Sequence, residues 1–127
     1  MLTLEDVGTY STLFEIAKKY GVDPSSSLQS EAFFESLLKS YPGRFDDKEE
    51  IATWLDARVQ QHFVALDQRP EWIQDPEWAF ADGKPMVFAG QINISTEKQS
   101  LPLFHDDTSL YVFIASEAES VVIVQQY

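Results

Sequence analysis

The chain has 127 residues, of which 44% are apolar and 13% aromatic, and this is enough for a single hydrophobic core. Its 21 acidic and 9 basic side chains give a net charge of −12, which repels phosphate backbones and anionic lipids and argues against nucleic-acid and membrane partners. The absence of cysteine excludes disulfides, thiolate catalysis and zinc sites built from cysteine. The first residues have neither the positive charge nor the apolar run of a targeting segment. We therefore expect one soluble, cytoplasmic domain, residues 1–127.

The first half of the chain, residues 1–66, has the period of amphipathic helices. Apolar residues recur at spacings of three and four as far as Tyr20. Thr3 is a candidate N-cap for this first helix, and Gly21 has the position of a C-terminal helix stop. A second helix begins either after Pro24 or within the serine run 25–27.

A third helix follows the stop signal Pro42-Gly43. Asp46 and Glu49 have the spacing of a capping box with aspartate as the cap. The expected buried stripe of this helix consists of large apolar residues: Ile51, Trp54, Leu55, Val59, Phe63 and Leu66. His62 is expected at the boundary of the core rather than in a site.

The second half, residues 67–127, changes to the pattern of strands. A turn at Asp82-Gly83 precedes an apolar run over 85–94, and two runs rich in β-branched and aromatic residues cover 110–114 and 121–124. The link over 116–120 is too short for a parallel crossover and predicts a hairpin. The fold class is therefore α+β, with three N-terminal helices packed on one face of a C-terminal antiparallel sheet of at least three strands.

Two copies of one tripeptide, Pro70-Glu71-Trp72 and Pro76-Glu77-Trp78, delimit a segment of residues 70–78 that we call the Trp loop. Proline disfavours both a helix and a central strand here, so the segment is expected to be an ordered crossing. Its indoles are either pinned to the core or presented to a partner. The amide of Gln91, inside the following strand, is expected to fasten this loop to the sheet, with ligand binding as the alternative.

These residues carry a resemblance to a known family. The Trp loop, the strand Met86-Val87-Phe88-Ala89-Gly90-Gln91 and the aromatic strand that begins at Ser109 resemble the YwqG-like proteins of bacteria. The resemblance covers the second half of the chain only, and the three helices have no counterpart in it. It implies a bacterial cytoplasmic protein, and some relatives resemble immunity proteins of toxin systems.

Residue types that could carry catalysis or hold a metal meet at one place, His105-Asp106-Asp107. Imidazole and carboxylate oxygens together can bind a divalent metal, and histidine beside aspartate can act as a general base. Adjacent residues converge only if the segment is a turn, and its composition favours a structural turn over a site. Nucleophile-elbow, phosphate-loop, dinucleotide and zincin motifs are absent.

The leading hypothesis is a non-enzymatic binding module without a cofactor, specifically an immunity or antitoxin-like protein that neutralises a basic toxin or effector. Net charge would steer the encounter, and indoles ringed by carboxylates would dock. The predicted partner-binding residues are Glu71, Trp72, Asp75, Glu77, Trp78 and Asp82. The alternative is a small enzyme or metal- or ligand-binding domain with a pocket near His105 and Gln91. A secretion chaperone shares the size and acidity, although its expected layout differs.

Overall fold

The computed structural model describes residues 4–43, 47–95, 107–116 and 119–126. These residues form α1 (Leu4–Lys19), α2 (Leu28–Lys39) and α3 (Lys48–His62), followed by β1 (Phe80–Ala81), β2 (Lys84–Pro85), β3 (Val87–Ile94), β4 (Thr108–Ser116) and β5 (Glu119–Gln126). Helices therefore come first and strands second. Within the described ranges, none of the helices is long and apolar enough to cross a membrane.

The α+β class is confirmed. β3, β4 and β5 form an antiparallel sheet in that order, and β4 and β5 are the predicted hairpin. The small hairpin of β1 and β2 turns at Asp82 and Gly83, whose φ values of 50° and 75° are both positive. Two central residues with positive φ are the mark of a type I′ turn, for which Asp-Gly is a preferred pair. The predicted strand over 85–94 is thus divided, with its first residue in β2.

The helix ends follow local capping chemistry. Gly21, at a φ of 79°, ends α1 because the Gly21 and Val22 N–H groups donate back to the carbonyls of Lys18 and Ala17. Ser27 caps α2 by accepting from the Ser30 N–H, so of the two predicted starts the one in the serine run is right.

The cap of α3 lies one residue later than predicted. The Asp47 carboxylate accepts from the Glu50 N–H at 3.1 Å, so Asp47, rather than Asp46, is the N-cap. Asp46 itself lies outside the described residues, as does Thr3, the predicted cap of α1. The same residue types cap at either position, so sequence spacing alone does not separate two neighbouring aspartates.

The core has an aromatic middle layer between helices and sheet. α1 packs on α3, and Phe63, directly after α3, contacts Trp78 with ring centroids 5.3 Å apart. Trp78 in turn contacts Phe113 on β4 at the same distance. Trp78, the last residue of the Trp loop, is thus sandwiched in the core. Leu66, predicted as the last member of the α3 stripe, is 63% exposed, because the helix ends at His62 and the chain then runs beside β3.

An ion-pair cluster joins the end of α1 to the middle of α3. The Lys19 ammonium and the Tyr20 hydroxyl both donate to the Asp56 carboxylate. The hydrogen bond from Lys19, and then that from Tyr20, lowers the pKa of Asp56, while Asp56 raises the pKa values of Lys19 and Tyr20. The cluster is largely solvated, so its contribution to stability is small.

This cluster predicts a pH window. Because the folded-state pKa of Asp56 is lowered, its stabilisation is present above the unfolded pKa and is lost as pH falls below about 4. The folded-state pKa values of Tyr20 and Lys19 are raised. The stabilisation from these two groups is therefore present below their unfolded pKa values and is lost as pH rises above about 10. We expect Asp56→Asn to destabilise the protein at neutral pH and to have less effect at both extremes. Urea unfolding of the two proteins across pH measures this, and a pH-independent difference would contradict it.

Candidate binding surfaces

Trp78 belongs to the core and not to a docking surface. It is 2% exposed, its indole N–H donates to the Met86 carbonyl at 2.8 Å, and its ring touches Phe63, Phe88 and Phe113. A side chain in this position reaches a partner only if the core opens. The prediction that Trp78 anchors a partner is therefore corrected: of the two alternatives for the indoles, pinning to the core holds for this one.

Trp72 is half-buried and also serves the fold. Its indole N–H donates to the Gly21 carbonyl at 2.8 Å, which ties the Trp loop to the end of α1. Its ring lies 4.3 Å from that of Tyr111 on β4. Glycine suits position 21 because its φ is positive, and a Cβ added there would also crowd the Trp72 indole nitrogen, at 3.3 Å.

Gln91 and Tyr111 hold the backbone of the Trp loop. The Glu71 N–H donates to Gln91 Oε1 at 2.8 Å, and Gln91 Nε2 donates back to the Glu71 carbonyl at 3.1 Å. The Tyr111 hydroxyl accepts from the Ile73 N–H and donates to the Glu71 carbonyl. This is the connection between loop and sheet that the sequence predicts for Gln91. The loop backbone, which has no strand or helix partner, is satisfied by side chains of the sheet.

Gln125 on β5 makes a second clamp that sequence reasoning missed. It is 2% exposed and accepts from the Gln74 N–H at 2.9 Å. Its Nε2 donates to the Asp75 carbonyl at 2.9 Å and to the Glu77 carboxylate at 3.0 Å. One buried amide thus satisfies three polar groups of the Trp loop. The available signal was the polar Gln125 directly after the apolar run 121–124, two residues beyond Ile123 and therefore on the same, inward-facing side of the strand.

The four predicted partner-binding carboxylates lie at the surface. Glu71, Asp75 and Glu77 are exposed on the Trp loop, and Asp82 is exposed in the β1–β2 turn. Glu77 is held in place by the bond from Gln125. These acids remain free to attract a cation or a basic protein from solution, although the indoles between them do not project with them.

A cleft of about 630 Å³ opens where the Trp loop meets the ends of β3 and β4. Gln91 and the exposed Asp107 line it, whereas His105 and Asp106 lie outside the described residues. Its polar side chains bond to one another: Gln91 Nε2 donates to Asn93 Oδ1 at 2.8 Å, and the Ser109 hydroxyl donates to the same oxygen at 2.6 Å. The cleft therefore offers polar groups that already serve the loop and the strand pair.

No metal centre is evident in the described part of the chain, where no three His, Cys, Asp or Glu side chains cluster closely enough to hold an ion. His62 is the last residue of α3, exposed, with its ring 5.3 Å from that of Phe33. Burial, and then the charge of Arg58, lowers the pKa of His62. This is the boundary position that the sequence predicts for His62.

The largest unexpected feature is the side of the sheet that faces away from the Trp loop, which we call the outer face. The register aligns its residues in rows across β3, β4 and β5. Its apolar members are Val87, Ile92, Ile94, Leu110, Val112, Ile114, Val122 and Val124. Ile92 is 54%, Val122 53% and Val124 49% exposed. In the described residues nothing packs over these three side chains.

Charged side chains lie at one end of the outer face, whereas its centre is uncharged. There Asp82, Lys84 and Glu119 line a shallow cleft together with Ile114. Gly90 lies in the central row beside a bulge in β3, and a Cβ there would meet nothing within 4 Å. The surface thus has an apolar centre with a mostly acidic group of side chains at one end, and an apolar centre with polar surroundings is the layout of many protein interfaces.

The residue pattern of β5 already indicates an apolar outer face. In an antiparallel sheet covered on one side, the other side is usually polar. Here both sets of alternate residues in 121–124 are apolar. The run 121–124 therefore predicts not only a strand but also a cover for its second side.

Comparison with protein-family models, with curated proteins and with solved structures finds no match to this chain.

Proposed function

We propose that this protein is a non-enzymatic binding module that docks a basic protein through the outer face. The observation that carries the proposal is the row of half-exposed aliphatic side chains across three strands, Ile92, Val122 and Val124 among them. Contiguous exposed apolar surface on a small domain is costly unless a partner covers it, and such patches commonly mark interaction sites.

Charge selects the partner. A net charge of −12 accelerates association with a positively charged protein and slows association with a negatively charged one. The carboxylates of Asp82 and Glu119, at one end of the outer face, would pair with lysine or arginine beside an apolar contact. The indoles proposed from sequence as docking groups are replaced in this role by aliphatic side chains of the sheet.

The finer part of the proposal is an inhibitory role in the cytoplasm, in which the module blocks a basic toxin or effector as an immunity protein does. Two features support it. The net charge of −12 is complementary to a basic surface that handles phosphate-rich substrates, and the aliphatic outer face offers an apolar contact beside it; a relationship of the second half to YwqG-like proteins is part of the same proposal.

The test is affinity capture of the tagged protein from its native cells, at low and at high salt, with two charge-introducing variants compared. Ile92→Lys places an ammonium among the exposed apolar side chains of the outer face. Leu28→Lys makes the same change at an aliphatic residue of α2 that is 83% exposed. We expect the wild type and Leu28→Lys to retain one basic protein in stoichiometric amount, and Ile92→Lys to lose it.

The captured protein is then purified and its affinity measured by calorimetry. Loss of one apolar contact of the outer face, together with a positive charge that repels a basic partner, should weaken binding by on the order of 100-fold for Ile92→Lys. Reversal of Asp82 and Glu119 to lysine should lower the association rate and its salt dependence. An acidic partner, or a basic one that binds Ile92→Lys as tightly as the wild type, would refute docking at the outer face.

A further inference from the structure

The two edges of the sheet differ in how they are covered. At the β3 edge, the Phe88 N–H donates to the Val64 carbonyl and the Phe88 carbonyl accepts from the Leu66 N–H. At the β5 edge, no strand of the described residues pairs with the free side. Gln74 Nε2 donates to the carbonyl of Gln126, the last residue of β5. The open run of the edge is therefore 119–125.

This run has none of the usual protection of an edge strand. Natural edges are blocked by lysine, proline, a bulge or a short length, because an unpaired row of N–H and C=O groups is a template for another strand. The residues of β5 are Glu119-Ser120-Val121-Val122-Ile123-Val124-Gln125-Gln126. Seven consecutive residues after Glu119 are uncharged, and four of them have β-branched apolar side chains with a strong preference for strands.

We propose that β5 pairs antiparallel with β5 of a second copy of this chain, around a two-fold axis at Val122. The open run 119–125 is symmetric about Val122, so all seven of its residues find a partner in this register. A closed two-fold contact uses the same surface on both copies, and an antiparallel edge is complementary to itself. The result is a continuous sheet of six strands.

The side chains agree with this register. On the outer face Val122 meets Val122 of the second copy, and on the inner face Val121 meets Ile123. Glu119, the one charged residue of the run, lies opposite Gln125 of the second copy and not opposite its own equivalent. Apolar cross-strand pairs stabilise a sheet, and like charges directly opposite each other destabilise it. This register forms apolar pairs at Val122 and Val121 and does not place the two Glu119 carboxylates opposite each other.

The pairing uses the edge of the sheet and does not depend on the proposed basic partner. Added salt should change the stability of this dimer and that of a complex with a basic protein in opposite directions. Two copies, each with a net charge of −12, repel at long range, so screening by salt should strengthen the dimer. A complex with a basic protein should weaken as salt is added. The dimer would also join two outer faces into one apolar surface of twice the width.

Sedimentation velocity of the full chain, from micromolar to submillimolar concentration and at low and high salt, measures the dimer. Val122→Lys places two ammonium groups face to face at the axis and should raise the dimer dissociation constant at least about tenfold. Val122→Thr keeps a neutral β-branched side chain and should change it little. Ile92→Lys adds the same charge to the same face, two strands from the edge, and should also change it little.

Cross-linking tests the register, and the natural absence of cysteine makes single-cysteine variants unambiguous. Opposed Cα atoms of an antiparallel pair are about 4.5–5.5 Å apart, within disulfide reach, so Val122→Cys should oxidise to a covalent dimer. The two Val124→Cys sulfurs would start from Cα atoms about 13 Å apart along the strand and should not. A protein that stays monomeric in all conditions, or a dimer that Val122→Lys leaves intact, overturns the proposal.

Discussion

Replacing Trp78 with alanine is expected to lower the free energy of unfolding by about 3–5 kcal/mol, the usual cost of removing a large aromatic side chain from a core. Trp78 is 2% exposed and lies between Phe63 after α3 and Phe113 on β4. Its removal would leave a cavity in the middle layer that connects the helices to the sheet. Small domains are stable by only about 5–15 kcal/mol in total, so the variant should unfold at a much lower urea concentration.

The chain offers two matched controls. Trp78→Phe keeps an aromatic ring but removes the donor to the Met86 carbonyl. The lost hydrogen bond should lower the free energy of unfolding by about 1–2 kcal/mol, in addition to the effect of burying a smaller ring. Trp54→Ala removes an indole that is only partly buried on α3 and should cost less than Trp78→Ala. Acrylamide should quench the fluorescence of Trp78 poorly in a variant that lacks the other two indoles. A Trp78→Ala protein as stable as Trp54→Ala would show that the middle layer is not the centre of the core.

The sequence predicted those elements whose signals are local. Apolar residues at spacings of three and four indicated the helices. Gly21 marked the end of α1, the serine run marked the start of α2, and Asp82-Gly83 marked the tight turn. Capping groups and turn residues act over a few positions, so a single sequence contains most of the information. The exact cap of α3 was wrong by one residue because Asp47 satisfies the same rule as Asp46.

The position of the Trp loop could be predicted only in part. Proline and the amide of Gln91 indicated an ordered crossing attached to the sheet, but whether an indole faces the core or the solvent depends on residues far away in the chain. Trp78 is enclosed by Phe63, Phe88 and Phe113, which come from three separate elements. A repeated tripeptide gives both of its tryptophans the same local signal, yet one is buried and the other half-buried.

The outer face was hidden for a related reason. Apolar residues at every position of 121–124 indicate a strand covered on both sides, which is the ordinary arrangement for such a run. The structure covers the inner side with the Trp loop and leaves Val122 and Val124 half-exposed. The sequence pattern of 121–124 predicts two covered faces, but in the described residues Val122 and Val124 stay half-exposed, and this discrepancy is the physical basis of the binding proposal.

Replacing Gln125 with leucine is expected to destabilise the protein by about 2 kcal/mol, although the two side chains have similar volumes. The cost arises because Gln74 N–H and the Asp75 carbonyl lose their partner in a part-buried site. It also arises because the Glu77 carboxylate loses a donor. A leucine side chain has neither donor nor acceptor and cannot replace any of these bonds. Because glutamine already fills the site, leucine also gains no stability by filling a cavity.

The matched comparison is Gln91→Leu, which removes a pair of bonds to the backbone of Glu71 at the other end of the same loop. Gln91 is less buried than Gln125, so water can take over part of its role and the cost should be about 1 kcal/mol.

Amide hydrogen exchange separates the two clamps residue by residue. Exchange at Gln74 should accelerate in Gln125→Leu alone and exchange at Glu71 in Gln91→Leu alone. If either variant released both amides together, the loop would be held as one cooperative unit and not by two independent clamps, and the two stability costs would then fail to add in the double variant.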